Sequence, residues 1–345
     1  MSKNLHTPFR FDYVGSFLRP DVLKQARADF EAGIIDKNAL TNVEDVAIRD
    51  LVRKQKELGY QVITDGEFRR STWHLDFMWA LNGVGHKKTE TGLPFHDEAA
   101  MVDDTFVTGK IFAPAHHPFV DHFRFVQALE DENTVAKQTI PAPSQTLAQF
   151  ELPFNWSLTG RFYNSREELA EDIAEAYITV CRELYEAGCR NLQFDDTTWG
   201  MFADATGHQV YGTTPEGIIE FQKLHRDLNN KVINALPDDL IINTHVCRGN
   251  FHSTYANSGA YDPVADVLFS GEQVNAFFLE FDDERSGGFA PLAKVSDDKK
   301  VVLGLITTKN PVLEDKQTVI NRIHEAAQYI PLDRLCLSPQ CGFAS

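Results

Sequence analysis

His245 and Cys247 stand two residues apart, so in extended backbone their side chains emerge on one face and can reach the same metal ion. Cys341, in SPQCG (Ser338 to Gly342) close to the end of the chain, is placed to add a second sulfur. One imidazole and two thiolates leave one corner of a tetrahedron for a carboxylate, water or substrate, the ligand pattern of catalytic zinc rather than of a closed structural site. Glu280 is the carboxylate that strand order brings nearest. A thiol with an ordinary pKa of about 8.5 ionises at neutral pH beside such a cation. With a carboxylate in that fourth place the ligands exceed the zinc charge by one unit, which keeps a metal-bound sulfur electron-rich.

Polar and ionisable residues also cluster in VGSF (Val14 to Phe17), TDGEFRR (Thr64 to Arg70), FDD (Phe194 to Asp196), THVCRGN (Thr244 to Asn250) and LEFDDERSGG (Leu279 to Gly288). Each follows or ends a short apolar run. In a closed parallel barrel such strand ends converge on one mouth, which makes their side chains site candidates. Trp73 and His74 in STWHLDF add a flat aromatic surface and a titratable ring close after Glu67. The remaining cysteines read differently. Cys181 and Cys189 lie on or just after an amphipathic helix and Cys336 within an apolar strand, positions that suit packing.

The elements that must hold these residues alternate. Eight strand candidates, Phe11 to Phe17, Gln61 to Asp65, Val135 to Ile140, Asn191 to Phe194, Leu240 to Thr244, Ala276 to Phe281, Val301 to Ile306 and Arg334 to Leu337, are separated by helices with recognisable ends. Ser165 with Glu168 forms a capping box ahead of Leu169, Ile173, Tyr177, Val180 and Leu184, and Gly188 can close that helix. Thr41 with Glu44 gives a similar start before Ile48 and Leu51, and Thr214–Pro215 another before Ile218 and Phe221. The first strand is followed by no glycine-rich dinucleotide turn, so an α/β (β/α)8 TIM barrel is expected rather than a doubly wound sheet. The whole chain, 1–345, is read as one such domain. Residues 87–129 break the repeat and are expected to form a β-hairpin excursion between the second and third strands. The chain stops at CGFAS with no eighth helix, which points to a sequence that continues past Ser345.

Composition narrows the partners. Lys plus Arg total 33 and Asp plus Glu 50, a formal charge of −17 that repels nucleic acid. The N-terminus has no signal-like apolar run, and no stretch approaches the roughly 20 apolar residues of a membrane helix, so a soluble cytoplasmic protein is expected. The five cysteines are odd in number and scattered, unlike a disulfide framework.

The segments VGSF, ARADFEAG, TDGEFRR, LQFDD, INTHVCRGNF, LEFDDERSG and LSPQCGF, in this order from about residue 10 to the end, resemble the catalytic barrel of cobalamin-independent methionine synthase, and more closely its short single-barrel relatives. That resemblance implies zinc bound by His245, Cys247, Glu280 and Cys341, and homocysteine held through its amino-acid part by Ser16, Glu67 and Asp195, with backbone from Val14 to Ser16 facing the carboxylate. It also implies methyl transfer to the homocysteine thiol from a folate-type or other donor. Small molecules are the partners it implies, with homo-oligomerisation left open. One part of the pattern is missing. The family protonates the leaving nitrogen with a His in the loop after the seventh strand, where this chain reads GLITTKNP, with Thr307 and Thr308. His74 and Asp196 are then the available proton donors, and Trp73 is placed to stack on a donor ring. An alkyltransferase for another small thiol, of the epoxide:coenzyme M type, and a non-catalytic zinc- or thiol-binding relative are the alternatives.

Overall fold

A computed structural model describes residues 5–344; Met1 to Asn4 and Ser345, and with them any continuation of the chain, lie outside it. In chain order the strands are β1 (Val62–Ile63), β2 (Asn82–Lys87), β3 (Leu93–Pro94), β4 (Ala99–Ala100), β5 (Asp104–Phe112), β6 (Val135–Ala136), β7 (Gln138–Pro141), β8 (Asn191–Asp196), β9 (Ile241–Val246), β10 (Ala276–Glu280), β11 (Lys300–Ile306) and β12 (Leu335–Pro339). Strands β7 to β12 form one parallel sheet in sequence order, and β1 pairs in parallel with β6. Helices fill most of the crossovers, as parallel pairing requires.

Residues 11–17 join these two sheets without forming a regular strand. Phe11 bridges Leu337 on β12, and Ser16 bridges Gly66 just past β1. The expected strand fails because its carbonyls are committed to side chains instead of a ladder. Tyr13 O accepts from Lys137, Val14 O from Gln193 Nε2 at 2.8 Å and Gly15 O from Thr64 Oγ1 at 2.7 Å. Two helix starts also move. Asp36 rather than Thr41 caps helix Lys37–Glu57, accepting from Ala39 N at 2.8 Å; an aspartate one turn earlier is the stronger cap and leaves Thr41 inside the helix. Helix Ile218–Asn234 begins beyond Thr214–Pro215, with Thr214 Oγ1 accepting from Gly217 N at 3.0 Å across the lead-in turn. Helix Arg166–Glu186 starts where expected. Ser165 accepts from Glu168 N, the Glu168 carboxylate reaches back to Asn164 N at 2.8 Å, and Gly188 at φ +104° closes the far end.

Between β1 and β6 the chain forms the antiparallel pair β2/β5 and the short hairpin β3/β4. The pairing begins at Asn82, ahead of residue 87. The stretch 87–129 also takes in helix Pro118–Gln127, which packs on β6 and on helix Arg166–Glu186.

Alternation decides what faces where in the parallel sheet. Leu192, Ile242, Phe277 and Val301 join the main core under the helices, whereas Phe278, Val302 and Cys336 form a small separate cluster on the opposite, enclosed face. Lys137 occupies that same enclosure. Its ammonium meets Asp12 Oδ1 at 3.2 Å and Gln193 Oε1 at 3.0 Å and lies 4.8 Å from the Phe278 ring centre, with both charged side chains fully buried. Gln193 in turn donates to Asp195 Oδ1 at 2.7 Å, so this interior pair supports the site above it. Replacing one partner leaves the other charged and desolvated. Lys137→Met is expected to lower stability by about 3 kcal/mol or more, measured by urea unfolding, while Lys137→Met combined with Asp12→Asn recovers part of the loss.

Candidate metal centre and substrate pocket

The ligating atoms of His245, Cys247, Glu280 and Cys341 all lie within 4.8 Å of one another, and all four residues are buried. Three strand ends deliver them. His245 is on β9 and Cys247 just past it, Glu280 ends β10, and Cys341 follows β12. Gly304 on β11 makes room for the last of these. A Cβ there would stand 2.6 Å from the Gln340 Cα and 2.7 Å from Leu279 O, so a side chain would push apart the strand ends carrying Cys341 and Glu280. The sulfurs of Cys247 and Cys341 are 3.4 Å apart, close to the roughly 3.3–3.8 Å that ligands of one tetrahedral zinc keep from each other.

The donor set is oriented for a cation. His245 Nδ1 faces Phe278 O at 3.3 Å, which leaves Nε2 buried and without a hydrogen-bond partner. Glu280 Oε1 accepts from Arg248 N at 2.8 Å and Oε2 from Arg285 Nη2 at 3.0 Å, fixing the carboxylate plane. Gly249 N points at Cys247 Sγ from 3.2 Å. The electrostatics show a shortage of positive charge. Hydrogen bonding to Cys341 and then burial push the Cys247 thiol well above its usual pKa. Burial opposes a charge on His245, yet Cys247, Asp195 and Glu280 outweigh it and raise the imidazole's proton affinity. An orphaned imidazole nitrogen, two sulfurs and an oriented carboxylate therefore fit a metal cation.

Beside this cluster, Asp195 pairs in register with His245. Burial, with the charge of Glu67 adding to it, pushes the Asp195 carboxyl up to about 7. Glu67 follows the left-handed Gly66 at φ +66° and is itself left-handed at φ +62°, a conformation that costs a non-glycine residue energy and turns its carboxylate into the enclosure. Its Oε1 lies 3.2 Å from Arg70 Nη1 and accepts from Thr139 Oγ1 at 3.1 Å. Ser16 is next to Cys341: its Oγ lies 1.9 Å from where a Cβ on Gly342 would stand, and its carbonyl accepts from Phe343 N at 3.0 Å. The carbonyl of Val14 is held by Gln193. Arg70 belongs to the TDGEFRR cluster, whereas Thr139 and Gln193 stand inside strands where no motif spacing singles out either. Their signal is a polar residue at alternate positions of apolar runs, Lys137/Thr139 and Gln193/Asp195, which marks the enclosed face.

The remaining candidates divide. His74 is buried against Trp73, with ring centres 4.4 Å apart and Nδ1 without a partner, and burial pushes its pKa down to about 4. It is neutral at pH 7. Asp196 is not brought to the site, because the strand period turns it to the helix side. There Oδ2 accepts from Ser144 Oγ at 2.5 Å and Oδ1 from Thr198 N and Oγ1 at 2.7 and 2.6 Å. Thr307 and Thr308 are engaged as well, donating to Asp282 Oδ2 at 2.8 Å and Gln340 Oε1 at 2.7 Å. Burial raises the thiols of Cys181, Cys189 and Cys336, Cys189 to about 12 and Cys336 to about 11, as suits packed side chains. Among the described residues no helix is long and apolar enough to cross a membrane.

Comparison with known proteins shows the family. The family model for the cobalamin-independent synthase catalytic domain matches residues 11–345, and the chain belongs to that family. It is 42% identical to the uncharacterized protein YxjH of Bacillus subtilis (strain 168), over 99% of this chain and 89% of that one. It is 23% identical to the methionine synthase of Saccharolobus solfataricus, over 95% of this chain and 86% of that one. Among solved structures it is similar to a Listeria monocytogenes protein described as a candidate vitamin-B12-independent methionine synthase, with TM-score 0.76 and 36% identity over 99% of this chain and 93% of that chain. A B12-independent methionine synthase from Shewanella sp. W3-18-1, solved with selenomethionine, shares the fold at TM-score 0.70 and 19% identity, over 96% of this chain and 90% of that chain.

The buried network around Asp196 has a pH signature. Burial first, and the Asp196 charge second, push Glu272 up to about 8, while Asn229 donates to its Oε1 at 3.3 Å. A carboxyl whose folded pKa exceeds its unfolded value of about 4.3 stabilises the fold below that value and loses this stabilisation as pH rises through the folded pKa. Unfolding free energy should therefore fall by on the order of a few kcal/mol between about pH 5 and pH 8. The difference in unfolding free energy between wild type and Glu272→Gln, followed by denaturant titration across the same range, should show that fall, while the raised Asp195 carboxyl contributes its own share in both proteins.

Proposed function

We propose that this protein is a zinc-dependent methyltransferase that moves a methyl group from a folate-type or related donor to the thiol of homocysteine, giving methionine. The observation that carries the reading is the convergence of His245, Cys247, Glu280 and Cys341 within 4.8 Å, beside two buried carboxylates that have no role in a purely structural metal site. The ring of parallel segments is read as a (β/α)8 barrel, one domain interrupted between its second and third strands, with the site at the C-terminal ends where barrel enzymes keep their chemistry.

His245, Cys247, Glu280 and Cys341 would hold the zinc ion, which when bound lowers the pKa of a substrate thiol so that it is a thiolate at neutral pH. Glu67 and Asp195 receive the α-ammonium of homocysteine. An approaching cation lowers the raised Asp195 pKa and completes the ion pair beside buried carboxylates. Arg70 and Thr139 hold the Glu67 carboxylate in place. The Val14–Ser16 backbone and the Ser16 hydroxyl lie toward the substrate carboxylate. The sulfur forms a bond to the methyl carbon as the methyl–nitrogen bond of the donor breaks, and that nitrogen takes up a proton. Trp73 and the neutral His74 offer the donor ring a flat face. Asp196, committed to Ser144 and Thr198, is left out of the chemistry. A sulfonate thiol such as coenzyme M fits less well, because the pocket presents two carboxylates where a sulfonate calls for cations.

Zinc-loaded protein, assayed with homocysteine and 5-methyl-folate, and separately with methylcobalamin or with coenzyme M and an epoxide, tests the reading. Methionine formation is expected only with a homocysteine pair. Cys341→Ser should reduce it by about a hundredfold or more. Asp195→Asn should raise the homocysteine KM by about ten- to a hundredfold. Undiminished turnover in Cys341→Ser, or homocysteine binding with no methylation by any donor, would sink the proposal.

A further inference from the structure

Three loops must hold still for two sulfurs from different strand ends to share one ion, and one side chain touches all three. Asn250 lies in the loop that follows Cys247. Its Nδ2 donates to Gly342 O, in the residue after Cys341, at 2.9 Å and to Thr308 Oγ1, in the loop after β11, also at 2.9 Å. Its Oδ1 accepts from Lys309 Nζ at 2.8 Å. Lys309 reaches the same loop twice more, at Gly249 O (3.3 Å) and Thr254 O (3.2 Å). Thr308 is held from the other side by Gln340, its N and Oγ1 both donating to Oε1 at 2.8 and 2.7 Å.

The chemistry of these partners leaves the Asn250 amide one orientation. Turning it over would aim NH2 at an ammonium and the oxygen at a carbonyl. Lys309 is therefore the residue that sets the amide, and the amide ties the Cys247 loop to the Cys341 loop. Resting on the functional reading above, we infer that Asn250 is a positioning residue for the metal centre: together with Lys309 and Thr308 it sets the separation of Cys247 and Cys341, and thereby metal affinity and geometry. The loop whose family His is replaced by threonine thus has a structural task, clamping the two sulfur-bearing loops.

The test uses full-length protein stripped of metal and titrated with zinc against a chromophoric chelator and with cobalt(II), whose sulfur-to-metal charge-transfer and d–d bands report thiolate ligation directly. Asn250→Asp keeps the size of the side chain but places an oxygen against Gly342 O and Thr308. Its zinc affinity is expected to fall about 10–100-fold, with altered cobalt bands, while the metal-free form melts close to wild type. Lys309→Met, which removes only the orienting ammonium, should weaken zinc in the same direction by a smaller factor and keeps the inference testable if Asn250→Asp folds poorly. Wild-type zinc affinity and cobalt bands in a folded Asn250→Asp, or in Lys309→Met where the first variant does not fold, overturn the positioning role and leave the functional reading intact. A wild-type protein that takes up neither metal overturns the functional reading, and this inference with it.

Discussion

Two thiols, a carboxylate and an imidazole are enclosed together with a pair of carboxylates, Glu67 and Asp195, and the crowding of groups that ionise to anions governs the architecture around them. Cys247 and His245 both hold protons more tightly than usual, the response of a cluster that lacks positive charge. The protein supplies some compensation in fixed form. Arg248 N and Arg285 meet Glu280, Arg70 meets Glu67, and Lys137 sits below Asp195 through Gln193. The three side-chain cations, Arg285, Arg70 and Lys137, are themselves held by protein oxygens, so none is free to collapse onto the sulfurs. What remains uncompensated is the set of four ligand atoms and the Asp195 carboxyl, which on the proposed reading suit a divalent metal and an ammonium respectively.

The period-two rule explains both what the sequence makes legible here and what it hides. His245 and Cys247 share a face because they are two apart, and the same rule puts Asp195 beside His245 across the β8–β9 register. Applied one residue further it removes Asp196, whose neighbour position in FDD made it look equivalent. The polar character of Lys137, Thr139 and Gln193 is plain in the sequence, but their partners are not, since the Lys137–Asp12 pair spans 125 residues. Residues 11–17 have strand-like composition and yet carry only bridges. Their hydrogen-bond capacity goes to Lys137, Gln193 and Thr64, all distant in sequence. Local caps were readable where one strong cap stood alone, as at Ser165, and misplaced where Asp36 competed with Thr41.

Asn250 and Lys309 belong to the class no spacing rule reaches. Asn250 closes the THVCRGN cluster and Lys309 follows Thr308, but neither has a ligand-like spacing, and their role exists only where three loops meet. The same holds for Gly304, whose missing side chain is required by the approach of Gln340 rather than by any turn in its own strand. A metal site assembled from separate strand ends is specified mainly by such contacts, because each ligand's own strand fixes only its direction and not its distance from the others.

The threonines after β11 bear on the other half of the reaction. A hydroxyl already donating to Asp282 or Gln340 is a poor source of a proton for a leaving nitrogen, and a histidine pushed down to about 4 is uncharged at neutral pH. On the proposed reading the thiol-activating half of the site would be complete in residues of this chain, whereas its proton-delivering half would not be built around an imidazolium. If the proposed methyl transfer holds, such a division favours a donor whose leaving group is already protonated or activated when it binds, since transfer would then need only an oriented thiolate and a flat surface such as the one proposed at Trp73.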